Sequence, residues 1–268
     1  MRNNSKIIKS AFSCRRGALT LRGTKYRPKG DNLPIAIVSH GFMANQRSVL
    51  RYVRALARMG YAAFCFDFSG GCAFFGKSDG KSTDMSVLTE VADLEAVISY
   101  ARALPYTDSD RLLLMGCSQG GFVSALAAAK PDNRVSSLIL FYPAFCIPDD
   151  ARAGQMMLAK FDPEHIPEQF MCGPMRLSSR YVTDVINMKP SEEIKNYTGD
   201  VLIVHGDKDP VVSIHYSNRA YKTYQKRPTA KFHRPPRTVF RTIEGGKHGF
   251  SRKHDAIAIE AVLSFLAE

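Results

Sequence analysis

The stretch at residues 112–123 constrains the fold more than any other. It begins with an apolar run at 112–115, typical of a buried strand, and passes through Gly-Cys-Ser-Gln-Gly at 116–120 into a stretch rich in helix formers. A serine held on a strained turn between strand and helix needs neighbours without side chains, because the backbone passes close on both sides. The sequence therefore predicts a nucleophile elbow with Ser118 at its tip.

Apolar runs and helical stretches alternate on both sides of this turn. Strands are predicted in the regions 34–42, 61–68, 135–143, 200–212 and 237–243. Such alternation favours a mostly parallel, doubly wound sheet of the α/β class. Residues 10–28 alternate in polarity and carry turn glycines, which indicates an antiparallel edge strand or hairpin.

The clearest amphipathic helix is predicted over residues 86–103. Its apolar stripe repeats every three or four residues and consists of Val87, Val91, Leu94, Ile98 and Ala101. Glu90, Asp93 and Arg102 fall outside that stripe, as expected for the polar side of such a helix.

The alternation stops at residue 144. From there to residue 198 the chain has no strong buried strand, several prolines and many charged residues. This segment is too long for an ordinary connection between two elements. We therefore expect a first core part at 1–143, an inserted lid at 144–198 and a second core part at 199–268.

Length and composition limit the class of protein. The chain has 268 residues, of which 45% are hydrophobic and 23% charged, as in an ordinary globular protein of one large or two small domains. No apolar run reaches the roughly 18 residues of a membrane span. The N-terminus is basic but lacks the apolar segment of a secretory signal. These features predict a cytoplasmic protein without a membrane partner.

The six cysteines show no spacing typical of metal ligands, and in such a chain they are expected to be free thiols. No metal site is predicted. Cys117 adjoins the elbow serine, but only the central residue of such a turn points outward, so Cys117 is expected to pack against the sheet.

The net charge of +12 is spread along the chain. Its densest basic cluster lies at 226–237 and contains prolines, so we interpret it as a solvated connecting loop, with no role assigned to it. No specific nucleic-acid partner is predicted, and only non-specific affinity for polyanions at low salt is expected.

Acyl transfer by a serine requires a base, a group that orients the base, and donors for an oxyanion. Ser118 is the predicted nucleophile, and His248, in the glycine-flanked loop after the last strand, the predicted base. The acid is Asp207 or Asp209, in the loop after the preceding strand. Asp209 is preferred, because it lies further along the loop and can bend back to the histidine. Asp207 is expected to cap the turn through its own backbone.

The backbone amides of Phe42 and Gln119 are the predicted oxyanion donors, since they follow a strand end and the nucleophile. His40, at the same strand end, is expected to orient its loop rather than transfer protons. His205 is expected to pack inside the turn that carries the acid. Surface positions are expected for the remaining histidines, His165, His215, His233 and His254.

In these residues the chain resembles α/β-hydrolase-fold serine esterases, and within them the bacterial cinnamoyl/feruloyl esterase group. The matching motifs run from about residue 33 to the C-terminus and are His40-Gly41-Phe42, Asp67-Phe68-Ser69-Gly70-Gly71, Gly76-Lys77-Ser78-Asp79-Gly80, Gly116-Cys117-Ser118-Gln119-Gly120-Gly121, His205-Gly206-Asp207-Lys208-Asp209 and Gly245-Gly246-Lys247-His248. The resemblance implies an α/β-hydrolase fold with a lid. It also implies hydrolysis of esters between a hydroxycinnamic acid and a sugar or small alcohol, without a metal or organic cofactor.

In that group, residues of the lid contact the hydroxyl groups of the aromatic acid. By position, Asp150 and Tyr181 match this role. Each also has a purely structural interpretation, because an aspartate near a proline often caps a helix and a single tyrosine often packs in a core.

Two other classes of function stay open. One is a serine peptidase or aminoacyl hydrolase of the prolyl-oligopeptidase type, although the chain has no room for the propeller those enzymes usually carry. The other is a non-catalytic binding module on a hydrolase scaffold. The expected partner is a small-molecule ester, and a homodimer agrees with the general frequency of symmetric association.

Overall fold

The computed structural model describes residues 6–227 and 235–267. Its strands, in chain order, are β1 (Ile8–Arg16), β2 (Leu19–Arg27), β3 (Leu33–Ser39), β4 (Ala62–Phe66), β5 (Thr107–Cys117), β6 (Ser137–Phe141), β7 (Gln155–Met156), β8 (Ala159–Lys160), β9 (Gln169–Cys172), β10 (Met175–Ser178), β11 (Asp200–Gly206) and β12 (Thr238–Ile243). Its α-helices are α1 (Leu50–Arg58), α2 (Val87–Arg102), α3 (Gln119–Ala129), α4 (Ile147–Arg152), α5 (Arg180–Thr183), α6 (Pro190–Ile194), α7 (Ile214–Gln225) and α8 (Arg252–Ala267).

Eight strands form one central sheet in the order β1-β2-β4-β3-β5-β6-β11-β12. The hairpin of β1 and β2 is antiparallel and joins β4 in an antiparallel pairing, while every neighbour from β4 to β12 is parallel. Helices α2, α3 and α7 pack on one face of the sheet, and α1 and α8 pack on the other. The predicted α/β-hydrolase architecture and the predicted hairpin are therefore confirmed.

The strand register brings the carboxyl ends of the parallel strands to one edge. Ser39 pairs with Gly116, Cys117 pairs with Phe141, and Gly206 pairs with Ile243. The loops that follow β3, β5, β11 and β12 consequently leave the sheet side by side. In open α/β sheets this edge is where ligands bind.

Helix α2 departs from the predicted amphipathic pattern. It begins after Ser86, whose side chain accepts a hydrogen bond from the Thr89 amide, and its apolar stripe is buried as expected. Glu90 and Asp93, however, are only 1% and 0% exposed. The prediction of a polar outer side was wrong for both, because α2 contacts α3 as well as the strands β1, β3 and β5 of the sheet, so its sides are covered too.

The segment at 144–198 contains two short antiparallel hairpins, β7–β8 and β9–β10, and three short helices. Each strand has four residues or fewer, which explains why no strong strand pattern is visible in the sequence. Side chains that precede α2 hold this segment to the core. Ser82 Oγ donates to the Arg176 carbonyl at 2.6 Å, and Ser86 Oγ donates to Asp184 Oδ2 at 2.5 Å.

Most of the basic cluster at 226–237 lies outside the described residues, which exclude 228–234. Arg227, at its start, contradicts the prediction of a solvated loop, because it is 8% exposed. Its guanidinium donates to the carbonyls of Tyr197, Gly199 and Tyr224 and to Thr238 Oγ1. These bonds satisfy a charged group whose pKa burial lowers, and they tie the end of the 144–198 segment to α7 and β12.

The expectations about cysteines are confirmed. All six are free, and Cys117 is buried in the core, where burial raises the pKa of its thiol to about 12. Within residues 6–227 and 235–267, no helix combines the length and the apolar character needed to cross a bilayer.

Candidate active site

The turn at the end of β5 holds Ser118 at a positive φ of 54°, with ψ at −122°, a combination that residues with a side chain rarely adopt. Strain of this kind persists only where the surroundings enforce it. A Cβ atom on Gly116 would lie 2.1 Å from the carbonyl oxygen of Gly120, and one on Gly120 would lie 2.2 Å from that of His40. Glycine is therefore required at both positions for strand, turn and helix to pack this closely.

Ser118, His248 and Asp209 form a continuous series of hydrogen bonds. His248 Nε2 lies 2.9 Å from Ser118 Oγ, and His248 Nδ1 lies 2.8 Å from Asp209 Oδ2. The three residues come from the loops after β5, β12 and β11, as the chain order predicts. Such a series can take a proton from a serine hydroxyl and hold the imidazole in the tautomer that does so.

The Asp209 carboxylate is almost inaccessible to solvent, with a side-chain exposure of 1%. Burial alone would raise its pKa, but hydrogen bonds from His205, His248 and the amides of Val212 and Val211 act in the opposite direction and lower it well below 3.8. Asp209 thus stays ionised next to His248. A fixed negative charge at that position can hold the orientation of the imidazole ring and stabilise positive charge that develops on it during proton transfer.

His205 takes part in more than packing. Its Nε2 lies 3.0 Å from the Val212 carbonyl and 3.2 Å from Asp209 Oδ2, while its Nδ1 lies 2.7 Å from Ser217 Oγ. Because both neighbours of Nε2 are acceptors, that nitrogen carries a hydrogen. This contact with the acid was not predicted, although His205 stands only four residues before Asp209.

Asp207 caps the turn after β12, whereas a cap on its own turn after β11 was predicted. Its Oδ1 accepts a hydrogen bond of 2.7 Å from the amide of Gly245, in the loop after β12. The expectation of a cap through its own backbone was therefore wrong. The reason is the parallel pairing of β11 with β12, which places the Gly245 loop beside the Asp207 turn.

His40 lies buried beneath the loop that carries Phe42. Its Nδ1 lies 2.8 Å from the Gly41 carbonyl, and its Nε2 accepts a hydrogen bond of 3.2 Å from the Phe68 amide. Burial lowers the pKa of His40, which agrees with a neutral ring that donates through Nδ1. This placement fits the predicted orienting role.

Potential metal ligands of His40, Asp67 and Cys72 lie within 4.8 Å of one another. The Asp67 carboxylate already accepts hydrogen bonds from the amide and side chain of Gln46 and from the Lys77 amide. His40 Nε2 likewise accepts from the Phe68 amide, so the lone pairs a metal ion would need are already engaged and the cluster does not fit one.

A cavity of about 320 Å³ opens above Ser118. Its walls are formed by Phe42, Ser118, Gln119, Ala144, Cys146, Ile147, Asp150, Gln155, Met156, Met157, Leu158, Tyr181, Pro210, Val211 and Val212. Ser118 and four of the residues predicted around it, Phe42, Gln119, Asp150 and Tyr181, thus line one cavity. The apolar wall at 156–158 was not predicted, because it comes from the weakly patterned β7–β8 hairpin.

An oxyanion site needs backbone N–H groups that are not already bonded to an acceptor, and the amides of Phe42 and Gln119 meet this requirement. Within the described parts of the chain, neither amide is paired with a hydrogen-bond acceptor. Gln119 follows the nucleophile at the first position of α3, where helix amides have no partner inside the helix. Two unpaired donors at the wall of a cavity can stabilise negative charge that develops there.

Tyr181 and Asp150 line the same cavity from the 144–198 segment. Tyr181 is 2% exposed, and its hydroxyl donates to Gln119 Oε1. Its ring packs on Phe42, with centroids 5.3 Å apart. Asp150 is half-buried, and desolvation raises the pKa of its carboxyl group.

Known proteins share parts of this sequence. Over 117 residues the chain is 32% identical to the quorum-quenching protein AidA of Acinetobacter baumannii, which covers 42% of this chain and 37% of that protein. It is 31% identical over 114 residues to an uncharacterized 31.7 kDa protein in the traX-finO intergenic region of Escherichia coli, covering 42% of this chain and 38% of that protein. The chain therefore matches less than two fifths of the length of these relatives.

Solved structures share the whole fold. The ferulic-acid-bound Est1E from Butyrivibrio proteoclasticus is 28% identical, with a TM-score of 0.82 over 96% of this chain and 100% of that one. DcsB in complex with its substrate analogue is 20% identical, with a TM-score of 0.73 over 97% and 98% of the two chains, which supports the fold alone. The family model described as serine aminopeptidase, S33, matches residues 31–188, more than half of the chain. The chain belongs to this family of α/β hydrolases.

Proposed function

We propose that the protein is a serine carboxylic-ester hydrolase that acts through an acyl-enzyme on Ser118. One observation carries the proposal. His248 lies within hydrogen-bond distance of both Asp209 and Ser118 Oγ, and Ser118 lines the wall of a cavity. Membership of a hydrolase family supports hydrolysis in general. The likeness to Est1E, whose structure contains ferulic acid, supports an aromatic ester as substrate.

In the proposed acylation step, Ser118 Oγ attacks the carbonyl carbon of the ester while His248 Nε2 takes the hydroxyl proton. The carbonyl oxygen becomes an oxyanion and accepts hydrogen bonds from the amides of Phe42 and Gln119. The bond to the alcohol then breaks. His248 returns the proton to the leaving oxygen, and the acyl group stays on Ser118.

Deacylation repeats this sequence with water as the nucleophile. His248 takes a proton from water as the water oxygen attacks the acyl carbon, and the same two amides hold the second oxyanion. The bond to Ser118 Oγ breaks and the serine recovers its proton from His248. Asp209 holds the imidazole in the required tautomer throughout.

The residues that line the cavity favour a substrate whose acyl group is flat, partly apolar and hydroxylated. Apolar side chains at 156–158 and at 211–212 form much of its wall. The Tyr181 hydroxyl uses its proton on Gln119, so it offers a ligand only acceptor lone pairs, and the Asp150 carboxyl group also offers acceptor oxygens. A ligand that brings donors to both, such as a phenol on a cinnamic acid, fits this arrangement.

A second candidate function is favoured by the family description, serine aminopeptidase. A prolyl-oligopeptidase-type or aminoacyl hydrolase would use Ser118, His248 and Asp209 in the same roles. It would also need a carboxylate for the free amine of its substrate, and Asp150 is an acid at the cavity wall.

A substrate panel distinguishes these candidates. We expect turnover of methyl ferulate and methyl p-coumarate to exceed that of aliphatic p-nitrophenyl esters and of proline anilides. A higher turnover of the proline anilides than of the esters would contradict the esterase proposal and support the peptidase. Failure of a fluorophosphonate to label Ser118 would favour a non-catalytic binding module on the same scaffold.

A further inference from the structure

Glu90 is a buried acid that the proposed reaction does not use. It lies inside the fold on α2, and its Oε2 accepts a hydrogen bond of 2.8 Å from the side-chain nitrogen of Gln119. No lysine, arginine or histidine within the described ranges forms an ion pair with it. A buried carboxyl group with no cationic partner is costly, so its retention calls for a physical reason.

Asp93, one turn further along α2, is a useful contrast. It pairs with Arg16 and accepts hydrogen bonds of 2.8 Å from the amide and the hydroxyl of Ser69. None of these partners lines the cavity. Asp93 thus joins β1 to α2, whereas Glu90 is bonded to the residue next to the nucleophile.

The other end of the Gln119 side chain is also held. Its Oε1 accepts a hydrogen bond from the Tyr181 hydroxyl, and the Tyr181 ring packs on Phe42. The side-chain amide of Gln119 is therefore hydrogen-bonded on one side to Glu90, in the core, and on the other to Tyr181, in the 144–198 segment. The same contacts reach both residues whose backbone amides are the proposed oxyanion donors.

These two hydrogen bonds to the Gln119 side chain fix the first residue of α3. Both polar atoms of the Gln119 side-chain amide are engaged, so this side chain has one orientation available. It therefore also restrains the peptide unit between Ser118 and Gln119, on the helix side of the strained turn. Oxyanion stabilisation depends on donors that are already oriented before charge develops. Burial raises the pKa of Glu90 well above 4.5, which disfavours a negative charge behind the oxyanion.

We infer that Glu90 is a positioning residue for the proposed reaction: through the side chain of Gln119 it orients the backbone amide that receives the oxyanion. Tyr181 completes the brace formed by Glu90, Gln119 and Tyr181 and links it to the 144–198 segment. The inference rests on the proposed function, because it assigns no chemistry of its own to Glu90. Its effect is on transition-state stabilisation and not on substrate affinity.

The test compares kcat and KM for a p-nitrophenyl ester in wild type, E90L, E90Q, Q119L and the double variant. Loss of the brace is expected to lower kcat about 10- to 100-fold in E90L and Q119L, less than the roughly 10²- to 10³-fold cost of removing an oxyanion donor outright, with KM nearly unchanged. E90Q retains the acceptor and should restore most of kcat. E90L should add little to Q119L, because the hydrogen bond that E90L removes is already absent in Q119L.

D93N serves as the matched control, since it alters a buried acid of the same helix away from the cavity. It is expected to lower thermal stability while leaving kcat unchanged. Circular dichroism establishes that each variant is folded. Should E90L not fold, Q119L and its combination with Y181F test the same brace, again with non-additive losses of kcat.

The rate of fluorophosphonate labelling separates the two levels of the proposal, because labelling requires Ser118 and an oxyanion site but no ester specificity. Equal labelling rates and equal kcat in folded wild type and E90L would overturn the brace alone. Additive losses in the double variant would do the same. A wild type that neither labels nor turns over esters would overturn the proposed function together with the brace.

Discussion

Asp207 and Asp209 belong to one turn, yet their carboxylates bind different partners. Asp209 Oδ2 lies 2.8 Å from His248 Nδ1, whereas Asp207 Oδ1 accepts from the Gly245 amide at 2.7 Å. The two amides that Asp209 Oδ1 accepts from, those of Val211 and Val212, turn its carboxylate toward the histidine. Local backbone contacts therefore decide which of two similar acids reaches His248.

Replacing the two acids separately tests this assignment. D209N should lower kcat by about 10³- to 10⁴-fold, as loss of the orienting acid does in other serine hydrolases, because the amide favours the wrong tautomer of His248. D207N, the matched control, should change kcat by less than about fivefold and mainly reduce stability, since it weakens one turn contact. A larger loss of kcat in D207N would reverse the assignment. Initial rates on p-nitrophenyl acetate provide the measurement.

Replacing the nucleophile is the most direct test of the chemistry. S118A should lower kcat by about 10⁴-fold or more and abolish fluorophosphonate labelling, because no other group can form the acyl-enzyme. C117A is the neighbouring control: its thiol is buried in the core, so labelling should persist. Turnover by S118A close to that of wild type would disprove the proposed role of Ser118.

Asp150 should affect selectivity for the acyl group. D150A is expected to reduce kcat/KM for methyl ferulate about tenfold while changing that for methyl cinnamate, which lacks ring hydroxyls, much less, because only the former loses a hydrogen-bond partner. D149A is the control, since Asp149 bonds to Arg152 and to the Tyr216 hydroxyl outside the cavity. Equal losses for both substrates would rule out a contact with the ring hydroxyl.

Glu90 should make stability depend on pH in a defined direction. Since burial raises its pKa well above 4.5, the folded protein keeps a proton that the unfolded chain releases as the pH rises past that value. Wild type should therefore lose stability relative to E90Q above about pH 4.5, by up to about 1.4 kcal/mol per pH unit until the folded-state pKa is reached. Urea denaturation at about pH 4, 6 and 8 measures the difference. A difference independent of pH would contradict a protonated Glu90.

Arg227 should matter for stability and not for turnover. Its side chain makes four hydrogen bonds that a lysine cannot reproduce, so R227K is expected to lower the free energy of unfolding by about 2–4 kcal/mol. K226A, at the exposed neighbouring position, should change it by less than about 0.5 kcal/mol. Urea denaturation with a parallel activity assay separates the two effects, and a stable but inactive R227K would contradict this role.

The sequence predicts those features that depend on local spacing. The elbow around Ser118 could be recognised because a glycine is needed where a Cβ atom would collide with a neighbouring backbone segment, and the positions of His248 and Asp209 follow from strand ends in chain order. The parallel sheet likewise follows from alternating apolar runs and helices. These signals are local or periodic, so they are visible without coordinates.

Tertiary structure decides what depends on contacts between distant segments. The burial of Glu90 could not be predicted, because a periodicity of 3.6 residues describes one covered face and α2 is covered on several sides. The contact of Tyr181 with Gln119 joins residues 62 positions apart, and that of His205 with Asp209 depends on how one turn folds back. Arg227 looked solvated because its neighbours are charged, whereas its partners are backbone carbonyls that carry no sequence signal. The sequence alone thus determines the fold and the candidate nucleophile, base and acid, while only the folded chain determines which polar groups are buried together, because burial and hydrogen bonding are properties of the surroundings and not of the residue.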